Sequence, residues 1–144
     1  MGDASKSTVC TRGKYAEGKV KALLKSLESA TLTSYRFPDA RSGSFTVTPC
    51  DFMVCKSGKL ILLEVKEVDH VKRLPHGNFA KDQVARMRNF EAAGADAWVM
   101  VYFTPLKLWR YESVGYFLQR EGGSWNLENL PLRSLNETLQ EILA

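Results

Sequence analysis

The chain has little of what stapled or metal-built small domains depend on. Its 144 residues include three cysteines (Cys10, Cys50 and Cys55) and two histidines (His70 and His76). An odd cysteine count without a secretion signal argues against a disulfide framework. So few cysteines and histidines make a zinc site a poor expectation. Cys50 and Cys55 are expected as small buried hydrophobes on a strand. No apolar run approaches the length of a membrane span. The opening stretch MGDASKSTVCTRGK has no apolar centre, so it does not read as a signal peptide, and its Met-Gly start with Ser7 beyond fits a myristoylation signal poorly. Residues 1–12 read as a polar, flexible leader in a reducing cytoplasm. No internal repeat, low-complexity tract or linker divides the remainder, so residues 13–144 are expected to form one domain.

What is present is ordinary in amount and unusual in placement. Hydrophobic residues make up 44% and charged residues 25%, which suits a soluble globular domain able to bury a core. The net charge of +4 is compatible with a polyanionic partner without requiring one. Residues from about Arg12 to Ser29 carry Ala16, Val20, Leu23, Leu24 and Leu27 at helical spacing. TSYRFP predicts a short strand stopped by Pro38. FTVTPCDFMVC is extended with a bend at Pro49, KSGK is turn chemistry, and LILLEVKE is the next strand, so the last two strands predict an antiparallel hairpin. VDHVKRLPHGN reads as a basic loop, and FAKDQVARMRNFEAAG as a helix closed by Gly94. ADAWVMVYF reads as an interior strand, and LKLWRYES and VGYFLQRE as two more strands. SLNETLQEILA is a helix with a Ser134–Glu137 capping box. The resulting fold class is α/β: a central mixed sheet flanked by helices, with the 60–67 and 96–103 strands able to pair in parallel through a helical crossover.

The charges inside the apolar strand are the informative feature. Alternation puts Leu60, Leu62, Glu64 and Lys66 on one face and Ile61, Leu63 and Val65 on the other. Asp51 follows the bend at Pro49 on the preceding strand, and the hairpin can bring it opposite Glu64. Two carboxylates held together repel. A divalent cation relieves that penalty, and Mg²⁺ favours hard oxygen ligands completed by water and phosphate oxygens. A lysine beside them can orient or deprotonate an attacking water or stabilise charge on phosphate. That is the chemistry of phosphodiester hydrolysis. Two further residues fit the same site. Glu17 lies at the margin of the apolar face of the first helix, between Val20 and Leu24 on one side and Lys14, Lys21 and Lys25 on the other. Gln83 shares a helical stripe with Met87 and Phe90, where an inward amide needs a polar partner.

An aspartate followed on the next strand by Glu-x-Lys resembles the core motif of the PD-(D/E)xK nuclease superfamily. The run LLEVKEVDHVKRLPHGNFAKDQVARM is similar to that of RecU-like Holliday-junction resolvases, and the wider layout to the archaeal resolvases. The resemblance spans roughly Gly13 to Tyr111. It implies a restriction-endonuclease-like core and a Mg²⁺-dependent endonuclease, with Mn²⁺ as a possible substitute. It further implies that Asp51, Glu64 and the Val65 carbonyl hold the metal, that Glu17 completes the acidic set, that Lys66 acts on the water, and that Gln83 fixes the geometry. The implied partners are DNA, four-way or otherwise branched, and a second copy of the chain, in a prokaryotic or phage-infected cell. Lys14, Lys21, Arg36, Arg41, Lys72, Arg73, His76 and Lys81 are the candidate DNA contacts. Two departures stand out. Cys50 separates Pro49 from Asp51, where many relatives have Pro-Asp. The segment YRFPDARSGSFTV is too short for the projecting stalk of RecU-like proteins, which bears on junction specificity more than on hydrolysis. The competing readings are a phage or mobile-element nuclease acting on duplex, nicked or single-stranded DNA, and a non-catalytic DNA-binding module on the same fold.

Overall fold

The computed structural model describes residues 3–38, 48–80 and 82–144. A helix α1 (Asp3–Ser26) is followed by strands β1 (Leu32–Arg36), β2 (Phe52–Lys56) and β3 (Lys59–Val68). A short β4 (Arg73–Pro75), helix α2 (Gln83–Ala92), β5 (Asp96–Phe103), β6 (Leu108–Ser113), a short β7 (Ser124–Asn126) and helix α3 (Leu135–Ile142) complete the chain. The main sheet has five strands in the order β1-β2-β3-β5-β6, and β4 and β7 form a separate two-stranded ribbon. The β1-β2, β2-β3 and β5-β6 pairs are antiparallel, whereas β3 and β5 are parallel, as expected for strands joined through a helix.

The β2-β3 turn fixes the register on which the site depends. Ser57 and Gly58 both have positive φ (51° and 82°), the backbone of a two-residue turn whose twist matches that of the flanking strands. Phe52 then lies opposite Leu63 and Cys55 opposite Leu60. A side chain at Gly58 would meet nothing within 4 Å, so the cost of adding one is conformational. Gly58→Ala should lower stability by about 1–2 kcal/mol, read from the urea midpoint with an unchanged slope.

Alternation along β3 and β5 splits the core into two layers. Ile61, Leu63 and Val65, with Met100 and Tyr102, face α1 and α3 and bury Ala16, Val20, Leu24, Leu139 and Ile142. On the other face Leu62, Val99, Val101 and Phe103 pack with Val84 and Met87 of α2 and with Phe79, Phe117 and Trp125. The capping box at Ser134 and Glu137 forms in full. Arg110 is buried on β6, donating from Nε to Leu130 O (3.0 Å) and from Nη1 to Val71 O (2.7 Å), and so ties two long loops to the sheet. Among the described residues no helix is long and apolar enough to cross a membrane.

Several local expectations are corrected. VGYFLQRE is not a strand: Val114–Leu118 forms a 3₁₀ helix. Its two buried residues, Val114 and Phe117, are three apart, which one 3₁₀ turn places on the same side. The basic loop after β3 contains β4 and a 3₁₀ turn at His76–Asn78. α1 begins at Asp3, inside the expected leader. Cys50 is buried, but Cys55 is exposed, because alternation on β2 turns it away from Val54. Phe90 and Leu27 are exposed ends of otherwise buried stripes.

Candidate active site

Asp51 and Glu64 are brought together by an irregularity at the start of β2. The Asp51 amide donates to Leu63 O (3.2 Å), and its side-chain Oδ2 accepts from the Val65 amide at 2.8 Å. The carboxylate thus stands where the next ladder partner of β3 would be. Two residues before Asp51, where the donor for the Val65 carbonyl would be expected, the chain has Pro49, which has no N–H.

Glu64 is 3% exposed. Its Oε2 lies 2.8 Å from Lys66 Nζ, while Oε1 is buried with no hydrogen-bond partner. A buried charge with an empty lone pair is costly, and this one faces another acid. Burial, then the charge of Glu64, then that of Glu17 push the Asp51 carboxyl up from its ordinary value of 3.8 to about 8; the Val65 amide and Lys66 pull the other way without offsetting them. Burial likewise pushes the neighbouring Cys50 thiol up to about 12, so it stays protonated.

Glu17 reaches the same region from α1, held by Arg36 of β1, whose Nη2 donates to its Oε1 at 3.1 Å. Lys66 is half-buried and points to the other side of Glu64. Its Nζ donates to Asn78 O (2.6 Å) and sits 4.6 Å from the centre of the Phe79 ring. Gln83 is buried at the first residue of α2, and its Oε1 accepts from the Ala80 amide (3.3 Å). Asp51, Glu64, Val65 and Lys66 are thus drawn together. Glu17 lies close enough to Asp51 to act on its charge, whereas the bond described for Gln83 is to the Ala80 amide just before α2.

The donor set suits a hard cation. Among the described residues no three His, Cys, Asp or Glu side chains converge as a complete metal cage. Mg²⁺ takes one or two carboxylates and fills its octahedron with water and substrate oxygens. Asp51, and Glu64 with its unpartnered Oε1, fit that pattern.

The candidate DNA contacts differ among themselves. Lys14 and Lys21 are exposed on α1. Arg36 is engaged with Glu17. Lys72 pairs with Glu128 at 3.1 Å, and Arg73 Nη1 lies 3.4 Å from Ser124 Oγ. His76 is half-buried, its ring centre 4.2 Å from that of Trp125 with the two planes tilted by 59°. Arg41 and Lys81 lie outside the described residues. The sequence reading missed the Asn78 carbonyl and Phe79 as partners of Lys66. The Asn-Phe pair after the basic loop was visible, but nothing local ties it to a strand residue twelve positions earlier.

The fold, a mixed five-stranded sheet flanked by helices, is shared with a solved nuclease structure. Among solved structures, the chain is similar to Hjc of Archaeoglobus fulgidus, a Holliday junction resolvase from an archaeal hyperthermophile. The identity is 22% over 82% of this chain and 94% of that one, with a TM-score of 0.57. It also matches a bacterial homing endonuclease, I-Ssp6803I, at 14% identity over 91% of each chain, with a TM-score of 0.49. No protein-family model matches the chain, and no curated protein does.

Proposed function

We propose that this chain is a divalent-metal-dependent DNA endonuclease, selective for four-way or similarly branched DNA and acting as a homodimer. The observation that carries the nuclease reading is the convergence of Asp51, Glu64 and Lys66, with one buried Glu64 oxygen left without a partner. Such a site is unfavourable as it stands and complementary to a cation bound next to phosphate. The shared fold with an archaeal Holliday junction resolvase over nearly all of that protein supports the same reading.

Asp51 and Glu64, with the Val65 carbonyl, would hold Mg²⁺ or Mn²⁺. The bound cation supplies Lewis-acid activation of water and charge neutralisation at the phosphate. Lys66 holds its ammonium beside Glu64, where it orients the water and stabilises charge on the non-bridging oxygens. Glu17 adds negative potential at Asp51 and is kept in place by Arg36. Gln83, buried at the start of α2, would help fix the geometry of the site through its amide. Lys14 and Lys21 provide exposed positive charge for the phosphate backbone. Two symmetric cuts on a four-way junction require two such sites related by a two-fold axis, hence the dimer.

Cleavage of a synthetic four-way junction beside matched linear, nicked and single-stranded DNA, with and without Mg²⁺, separates the readings. Paired nicks in the junction, only with metal, are expected. Equal cutting of junction and linear duplex would remove the branch-selective part in favour of a general nuclease. Binding without any metal-dependent cleavage would favour a non-catalytic DNA-binding module.

A further inference from the structure

Lys66 is seated by parts of the chain distant in sequence, including a segment beyond the resemblance noted above. Its Nζ lies between Glu64 Oε2 (2.8 Å), the Asn78 carbonyl (2.6 Å) and the face of Phe79 (4.6 Å to the ring centre). Phe79 has little freedom to move. It is 6% exposed and meets Trp125 edge-on at 5.4 Å and Phe117 at 5.8 Å. Phe117 and Trp125 in turn meet edge-on at 5.2 Å. Trp125 is anchored twice: its Nε1 donates to Gln119 O (2.6 Å), and its strand β7 pairs with β4 immediately before the turn that carries Asn78. The backbone of that turn is closed by His76 N donating to Gly123 O (3.0 Å) and Phe79 N to His76 O (3.2 Å).

We infer that Phe79, backed by Phe117 and Trp125, is a positioning residue for Lys66: its ring face and the adjacent Asn78 carbonyl fix the ammonium beside Glu64. The physical basis is specific. A lysine has four rotatable side-chain bonds and loses considerable freedom when held. A carboxylate alone holds an ammonium from one side, and a flexible lysine beside Glu64 could swing into solvent. A carbonyl on the second side and an aromatic face on the third leave one defined orientation. The ring quadrupole attracts the cation without neutralising it, and the attraction strengthens where water is excluded. The C-terminal 3₁₀ helix and β7, which contain none of the candidate catalytic groups, thereby become part of the active-site structure.

The inference rests on the nuclease reading for its consequence, but not for its test. In protein carrying ¹³C-labelled lysine, the Lys66 ε-methylene signal, assigned through Lys66→Arg, is expected to be displaced upfield by the Phe79 ring current, with its two protons inequivalent. Phe79→Leu should move that signal to the position of exposed lysines. It should also slow single-turnover DNA cleavage by about tenfold, the weight of one partly desolvated cation–π contact, with DNA affinity unchanged. Phe79→Tyr should retain both properties. Val84→Ala, in the same apolar layer, controls for general loosening: it should lower the melting temperature yet keep the lysine signal and the cleavage rate. Should Phe79→Leu not fold, Trp125→Phe serves instead, with a smaller displacement in the same direction. An unshifted wild-type signal, or a signal and rate indifferent to Phe79→Leu, overturns the inference. Loss of rate in Val84→Ala equal to that in Phe79→Leu does so too. If the wild-type protein cuts no DNA, the nuclease reading fails, and the lysine signal still decides whether Phe79 seats Lys66.

Discussion

Replacing Asp51 by asparagine is expected to slow metal-dependent DNA cleavage by roughly a thousandfold or more while leaving DNA affinity within about threefold, since backbone contacts elsewhere dominate binding. Asparagine is the right replacement because the fold uses this side chain. Asp51 Oδ2 accepts from the Val65 amide at 2.8 Å, and an amide oxygen can keep that bond. What is lost is the charge. Lys66→Ala should be as inactive but less clean. Glu64 Oε1 already lacks a partner, and Oε2 relies on the ammonium. Removing Lys66 leaves a buried carboxylate with neither oxygen paired through that side chain, a loss of about 1–3 kcal/mol. Thermal unfolding should therefore separate the two variants: Asp51→Asn no less stable than wild type, Lys66→Ala clearly less stable. Normal cutting by either variant in a clean preparation would falsify the assignment of the site.

The different origins of these residues explain what the sequence made legible. Glu64 and Lys66 share a face because of alternation alone, so the strand pattern sufficed. Asp51 needed the hairpin register, and the turn residues Ser57 and Gly58 carry that information locally. The capping box at Ser134 is likewise a local signal that the structure honours. The failures are tertiary. Strands β4 and β7 have three residues each, too few to show a period, and β4 includes Pro75, which reads as a breaker. They exist because each pairs with the other across fifty residues. VGYFL has strand-like composition, but the aromatic layer beneath it accepts Val114 and Phe117 from one turn. Gln83 was placed by the helical stripe, yet its use of the Ala80 amide depended on where the helix starts. The ion pair between Glu17 and Arg36 joins a helix to an edge strand, and no spacing rule links them.

Addition of Mg²⁺ is expected to stabilise the protein strongly near pH 8.5 and weakly near pH 5.5, and Asp51→Asn should erase the difference. The sign follows from the raised Asp51 carboxyl, about 8 in the fold against an ordinary value of 3.8. A group raised on folding holds its proton more tightly in the native state. Its contribution to stability is complete below about pH 4 and is lost as the pH climbs through 8, at a slope of at most about 1.4 kcal/mol per pH unit. Metal-free wild type should therefore lose stability between those limits as Asp51 is forced to ionise beside Glu64 and Glu17. A cation must displace the same proton, so its affinity rises over the same window. At a hundredfold excess over its dissociation constant it would add about 2.7 kcal/mol, roughly 5–10 °C in melting temperature for a chain of this size. Cys50 does not confuse the measurement, because its thiol, also raised, matters only above the ordinary thiol range, near pH 9 and beyond. Melting curves at pH 5.5, 7 and 8.5, with Mg²⁺ or chelator, give the answer for wild type and Asp51→Asn together. A metal shift that is independent of pH, or that survives in Asp51→Asn, would mean that the cation binds elsewhere and that the paired acids at the start of β2 are not its seat.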